Sequence, residues 1–169
     1  VKTIKMIKFS FPLVFSSLSI YLATYIDRIM INHFLSSYEL GIYSLAFRIS
    51  SIVLFLMIGV QMAITPLIYN YYTNPHTKKH LEDIFRYFSA GSIVFILSLC
   101  LFSKEILWIL STEDYYKAYQ LIYILAPSVL LSQMYIFTPG ISLKKKTNLI
   151  LLISFFGATL NTILNYFLI

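Results

Sequence analysis

The sequence predicts an all-α fold: a polytopic transmembrane helix bundle with about five spans. Three observations carry that reading. Of 169 residues, 59% are hydrophobic and only 12% are charged, whereas ordinary soluble domains carry about 25% charged residues. Apolar runs recur at the length a bilayer demands, about 20 residues for a hydrocarbon core of about 30 Å. The lysines and arginines, which give a net charge of +6, crowd onto alternate connections between those runs, as a topology signal does.

Taken in order, Val1–Lys8 carries Lys2, Lys5 and Lys8 on an otherwise apolar strip, a basic lead-in at a membrane surface. Its apolar continuation is too long for a cleavable signal peptide, and no small-residue cleavage site follows. The expected spans are 9–34, 41–69, 84–102, 118–137 and 149–169. Pro66 should kink or end the second span, and Pro127 should kink or hinge the fourth. The 70–83 segment is polar and reads as a loop, with a turn signal at Asn74-Pro75. In 103–117 the apolar core Ile106–Leu110 is too short to cross. It should lie in the interface with Trp108, Tyr115 and Tyr116 at headgroup depth. The 138–148 segment holds Pro139-Gly140 and Lys144-Lys145-Lys146. The chain begins without Met and stops at Ile169 inside an apolar run, so it is expected to be a piece of a longer protein.

With five spans the connections alternate sides. One side collects Lys2, Lys5, Lys8, Lys78, Lys79, Lys144, Lys145 and Lys146, with Arg86 just inside span three; the other holds only Lys104 and Lys117. The positive-inside rule makes the first side cytoplasmic. For Lys144–Lys146 the alternative to a purely topological role is contact with lipid headgroups.

Charges within the spans are the informative residues, because one at mid-bilayer costs about 2.5–3.5 kcal/mol on insertion scales. Asp27 and Arg28 lie in span one and Arg48 in span two. Ser17, Tyr21, Thr24, Arg28 and Asn32 follow 4-3-4-4 spacing, one face of a helix, and Ser44, Arg48 and Ser51 share a face of the next. One reading makes these stripes a cationic cavity wall that attracts an anion, most naturally phosphate, which guanidinium forks match. A second makes Asp27 a structural partner of Arg48 or Arg28. A third places Asp27–Asn32 near the headgroups, where arginine snorkels. On span five, Gly157, Asn161 and Asn165 share a face. They either line a substrate path or make a helix–helix contact of a small residue plus interhelical hydrogen bonds. Gln61 and Gln133 are weaker cases of the same kind.

Catalytic and metal signatures are missing. The single Cys100 excludes an internal disulfide. His76 and His80 have zinc spacing only if helical, with no glutamate between them as in H-E-x-x-H, and read as loop residues. No phosphate loop, dinucleotide fingerprint or nucleophile elbow occurs. No enzyme activity, cofactor, metal or nucleic-acid partner is expected.

Several stretches together resemble the Wzx-type flippases of bacterial polysaccharide synthesis, in the multidrug/oligosaccharidyl-lipid/polysaccharide exporter superfamily. They are Phe11-Pro12-Leu13, Asp27-Arg28, Glu39-Leu40-Gly41-Ile42-Tyr43-Ser44, Ala46-Phe47-Arg48-Ile49, Ala63 and Thr65-Pro66. The likeness continues through Phe102-Ser103-Lys104-Glu105-Ile106, Tyr115-Tyr116-Lys117-Ala118, Gly140–Thr147, and Asn161 with Asn165-Tyr166. The resemblance implies a two-lobed transporter of which this chain is the first five helices of the second half. It also implies movement of undecaprenyl-pyrophosphate-linked oligosaccharide across the bacterial cytoplasmic membrane by alternating access. Arg28, Arg48, Asp27, Asn32, Thr24, Asn161 and Asn165 become its candidate cavity residues. Membrane lipids and a polysaccharide polymerase are the implied partners. Two alternatives stand beside it: a cation-coupled drug antiporter of the same superfamily, with Asp27 as the ion site, and a membrane polymerase or ligase of the same pathway.

Overall fold

In hydrocarbon no water is available to backbone amides, so an apolar run satisfies them within itself as a helix. The computed structural model describes residues 2–71, 75–137 and 140–169. The described residues are mostly helical, with no strand: α1 (Lys2–Phe34), α2 (Ser37–Ser50), α3 (Ile52–Tyr71), α4 (Pro75–Leu101), α5 (Ser103–Leu110), α6 (Ala118–Gln133), α7 (Gly140–Leu143) and α8 (Thr147–Leu168). Two short 3-10 turns, Glu113–Tyr115 and Met134–Phe137, complete the order. Five stretches are long and apolar enough to cross a membrane: Met6–Phe34, Ser37–Pro66, Lys79–Leu101, Ala118–Leu143 and Thr147–Leu168.

These match the five expected spans, with differences at their ends. The second span begins four residues early, because Ser36 caps it: its hydroxyl accepts the Glu39 amide at 3.2 Å. The same span is hitched at Ser51. The Ser51 hydroxyl donates to the Phe47 carbonyl at 2.6 Å, and the Leu54 amide reaches back three residues to Ser51, a local 3-10 tightening. Pro66 and Pro127 end neither helix; α3 runs to Tyr71 and α6 to Gln133. The segment read as a loop over 70–83 is corrected to helix from Pro75 onward. Proline is favoured at a first helical position, where its missing amide is not needed. His80 is exposed on this helix, and no group of three possible metal ligands forms among the described residues. Tyr72–Asn74, Thr138 and Pro139, and the side chains of Lys2, Lys5, His76 and Lys78, lie outside the description.

The chain divides into two compact units. The first, Val1–Leu40 with Gly140–Ile169, is built on α1 against α8. Ser16 bonds Ser154 and Asn165 bonds Asp27, each pair separated by 138 residues. A constant separation means that the two helices run parallel. Odd-numbered spans of a five-span chain must do this, since both cross in the same direction.

The second unit, Gly41–Pro139, packs α6 against α3, α4 and α5. Its core joins Ala46, Ile49, Val53, Ile96, Leu107, Ala118, Ile122 and Ala126 among others. The three alanines are fully buried, and small side chains let helices approach closely. In the 103–117 segment the short apolar core forms its own helix. α5 is a short helix that buries Leu107 and leaves Trp108 71% exposed. Gly41 meets this segment at close range, since a Cβ there would fall 2.9 Å from Cε1 of Tyr115.

Candidate functional site

The candidate residues fall into both units. In the first, the α1–α8 seam is made by Pro12, Ser16 and Asp27 on one helix and Thr147, Ser154 and Asn165 on the other. Ser16 and Ser154 hydroxyls lie 2.6 Å apart. The Asn165 side-chain amide donates to the Asp27 carboxylate and also lies 3.4 Å from the Asn161 carbonyl oxygen. A half-buried carboxylate between helices thus accepts from an amide of the facing helix, the kind of partner an intramembrane charge requires.

Asn165 makes the interhelical hydrogen bond, and Asn161 joins it through Asn165 on the same helix. Gly157 does not share that role. It is exposed, and a Cβ on it would meet nothing within 4 Å. The small residue of the seam is Ala158, which with Ser154, Asn161 and Asn165 keeps 4-3-4 spacing and partial burial.

The stripe read along span one is one residue out of step with the packed face. The seam uses Ser16, Ala23 and Asp27, while Ser17, Tyr21, Thr24 and Asn32 are exposed. Ser17 and Thr24 return their hydroxyls to the carbonyls of Leu13 and Ile20. Asn32 accepts the Ser37 hydroxyl at 2.9 Å. Arg28 lies at the edge, half-buried. The polar stripe is therefore rotated off the α8 contact, with Ser17, Tyr21, Thr24 and Asn32 exposed.

In the second unit Arg48 stands on α2, eleven residues into the 30-residue second span. It is exposed. No described residue gives it a hydrogen bond, ion pair or ring contact. Asp27 thus has a hydrogen-bonded partner and Arg48 has none among the described residues. Ser44 and Ser51 beside it are half-buried.

Two clefts are open at the surface. One, of about 450 Å³, is lined by Lys104, Glu105, Trp108, Tyr116 and Tyr119, with the Lys104 ammonium 4.7 Å from the Tyr119 ring centre. The other, of about 520 Å³, lies in the first unit and is lined by Lys8, Phe9, Lys145, Lys146, Thr147, Asn148 and Leu149. Sequence reading missed that Lys8 and Lys146 line one cleft. Their separation is again 138 residues, so the signal existed, but only once the register of α1 on α8 was known.

Compared with known families, residues 12–167 match the MatE family, a stretch that takes in most of every span. Neither the curated proteins nor the solved structures give a match.

Proposed function

Because this chain belongs to the MatE family of membrane transporters, we propose that it serves to move an anionic, lipid-linked oligosaccharide across the bacterial cytoplasmic membrane, with undecaprenyl pyrophosphate as carrier. The family consists of transporters, which leaves the polymerase or ligase alternative without support. One observation carries the choice of an anionic cargo: Arg48 is a permanent charge well inside a span, exposed, with no described counter-charge. Such a residue faces water or an anion, not hydrocarbon. Guanidinium pairs with phosphate through two parallel hydrogen bonds. Arg28 is the second candidate contact, and the exposed Thr24 and Asn32 on its stripe offer hydrogen bonds to sugar hydroxyls. In this reading the 70–83 and 138–148 segments face the cytoplasm, as their lysines direct.

A second reading has its own support. Asp27, with the Asn161 and Asn165 amides around it, has the oxygen-rich chemistry of a coupling-cation site in a drug antiporter. Two substitutions in the full protein separate them, scored by surface polysaccharide in cells lacking their own flippase and by drug efflux. Arg48→Ala should lower polysaccharide export about tenfold or more, the worth of a charged hydrogen bond, with Lys restoring part of it. Asp27→Asn keeps the shape and an acceptor for Asn165, and should leave export within twofold. Loss of cation-coupled drug efflux in Asp27→Asn, with Arg48→Ala active, would overturn the flippase reading in favour of the antiporter.

A further inference from the structure

We infer that the cleft between the N-terminal ends of α1 and α8 is a binding site for the headgroup of an anionic phospholipid. The inference stands apart from the transported substrate.

The cleft concentrates positive charge. Lys8 comes from α1, and Lys145 and Lys146 from the turn before α8. No acidic residue lines it. The start of α8 adds to the field. Its N-cap residue Lys146 supplies no capping side chain, and the first turn holds no acid. The amides of Thr147 and Asn148 find no acceptor among the described residues, whereas those of Lys145 and Lys146 are used by Ser142 and Ile141. Free amides at a helix start, with the positive end of the macrodipole behind them, form an anion site.

An independent observation points to a ligand. Thr147 is only 6% exposed, lines the cleft, and has no hydrogen-bond partner for its hydroxyl among the described residues. The oxygens of a phosphate group in the cleft would accept from this hydroxyl, two amides and up to three ammonium groups.

The lining also selects a lipid over a free anion. Phe9 and Leu149 follow the lysines along the two helices and are 39% and 41% exposed. Charge first and apolar surface next, along two parallel spans, is the order of phosphate and acyl chain in a phospholipid. Basic pockets between transmembrane helices on the positive side of a membrane bind anionic headgroups in this way.

The test uses the full protein in detergent, with bound lipid counted by native mass spectrometry. Phosphatidylglycerol and, separately, phosphatidylcholine are titrated in. We expect retained phosphatidylglycerol and no retained phosphatidylcholine. Binding should weaken about fivefold for each of Lys8→Gln and Lys146→Gln, from about 1 kcal/mol per basic residue near the surface. Thr147→Val, which keeps the shape of the side chain, should weaken it as well. Lys117→Gln removes the same single charge elsewhere and should change nothing. Equal loss in that control would reduce the effect to net charge and overturn the site. Displacement of the lipid by millimolar inorganic phosphate would overturn the headgroup assignment in favour of a free-anion site. Unchanged binding in Lys8→Gln, Lys146→Gln and Thr147→Val, with protein levels normal, would also overturn it.

Discussion

In the Gly41–Pro139 unit, Leu107, Ile122, Val53 and their neighbours form a continuous apolar cluster in which several side chains are fully buried. In the α1–α8 unit no large apolar side chain is buried among the described residues, and the contact runs through Ser16, Asp27, Ser154 and Asn165. The contrast follows from what each unit has to specify. Three or more helices packed around α6 enclose a centre, and shape complementarity among Ile, Leu, Val and Ala fills it. Two helices side by side enclose nothing, and lipid solvates their apolar faces as well as a neighbouring helix does. Polar pairs are then the available means of setting partner and register.

The largest effect is expected where the apolar centre is opened. Leu107→Ala removes a fully buried side chain and should cost about 2–5 kcal/mol, seen as a lower unfolding temperature of the purified protein. It should leave the α1–α8 contact intact, as judged by cross-linking. If both units loosen together, the division into separate packing regimes is wrong.

Next comes Gly41→Ala. The new methyl would fall 2.9 Å from Tyr115 Cε1, part of a ring that does not compress. About 1–3 kcal/mol of destabilisation is expected, measured the same way. Shortening the partner with Tyr115→Leu in the same chain should recover part of it. An additive double mutant would show that the ring is not what Gly41 avoids.

The sequence made the five spans legible because hydropathy summed over 20 residues is insensitive to which face is which. That insensitivity is why the stripe through Ser17, Thr24 and Arg28 came out one residue from the seam through Ser16, Ala23 and Asp27. One residue is a rotation of about 100° on a helix, and serine and alanine carry too little hydropathy to mark the buried side. Gly157 misled for a related reason: a small residue permits close approach without requiring it. The stretch from Pro75 to Asp83 looked like a loop because it is polar. A helix that extends past the apolar zone keeps its hydrogen bonds while its side chains turn charged. That Lys8 and Lys146 share a cleft depended on the parallel register, which no local pattern contains. The candidate cavity residues were legible as polar groups inside spans; their division between the seam and the open faces was not.

A smaller effect is expected at the polar seam. Asn165→Ala removes the amide that Asp27 accepts from. Interhelical hydrogen bonds in membranes average about 0.6 kcal/mol, with a maximum near 1.7. This one engages a carboxylate, so the upper end of that range is expected in a thermal shift. A loss as large as that of Leu107→Ala would mean that the seam carries stability comparable to the apolar core, against the contrast drawn here.

The smallest energetic effect, Ser16→Ala, should fall near about 0.6 kcal/mol, close to what a melting curve resolves, so the register is better read by chemistry. With Cys100→Ser as background, Ser16→Cys paired with Ser154→Cys should oxidise to a disulfide, because the two hydroxyls lie 2.6 Å apart. Ser16→Cys paired with Asn165→Cys should not. Asn165 lies eleven residues farther along α8, about 16 Å at 1.5 Å per residue, far beyond the roughly 7 Å between Cα atoms that a disulfide tolerates. An antiparallel arrangement would move the two ends of α8 oppositely along α1, so cross-linking Asp27→Cys with Asn165→Cys adds the deciding case. Parallel packing requires both the 16–154 and the 27–165 pairs to close, since only a constant separation of 138 residues brings the two pairs together on the same pair of helices.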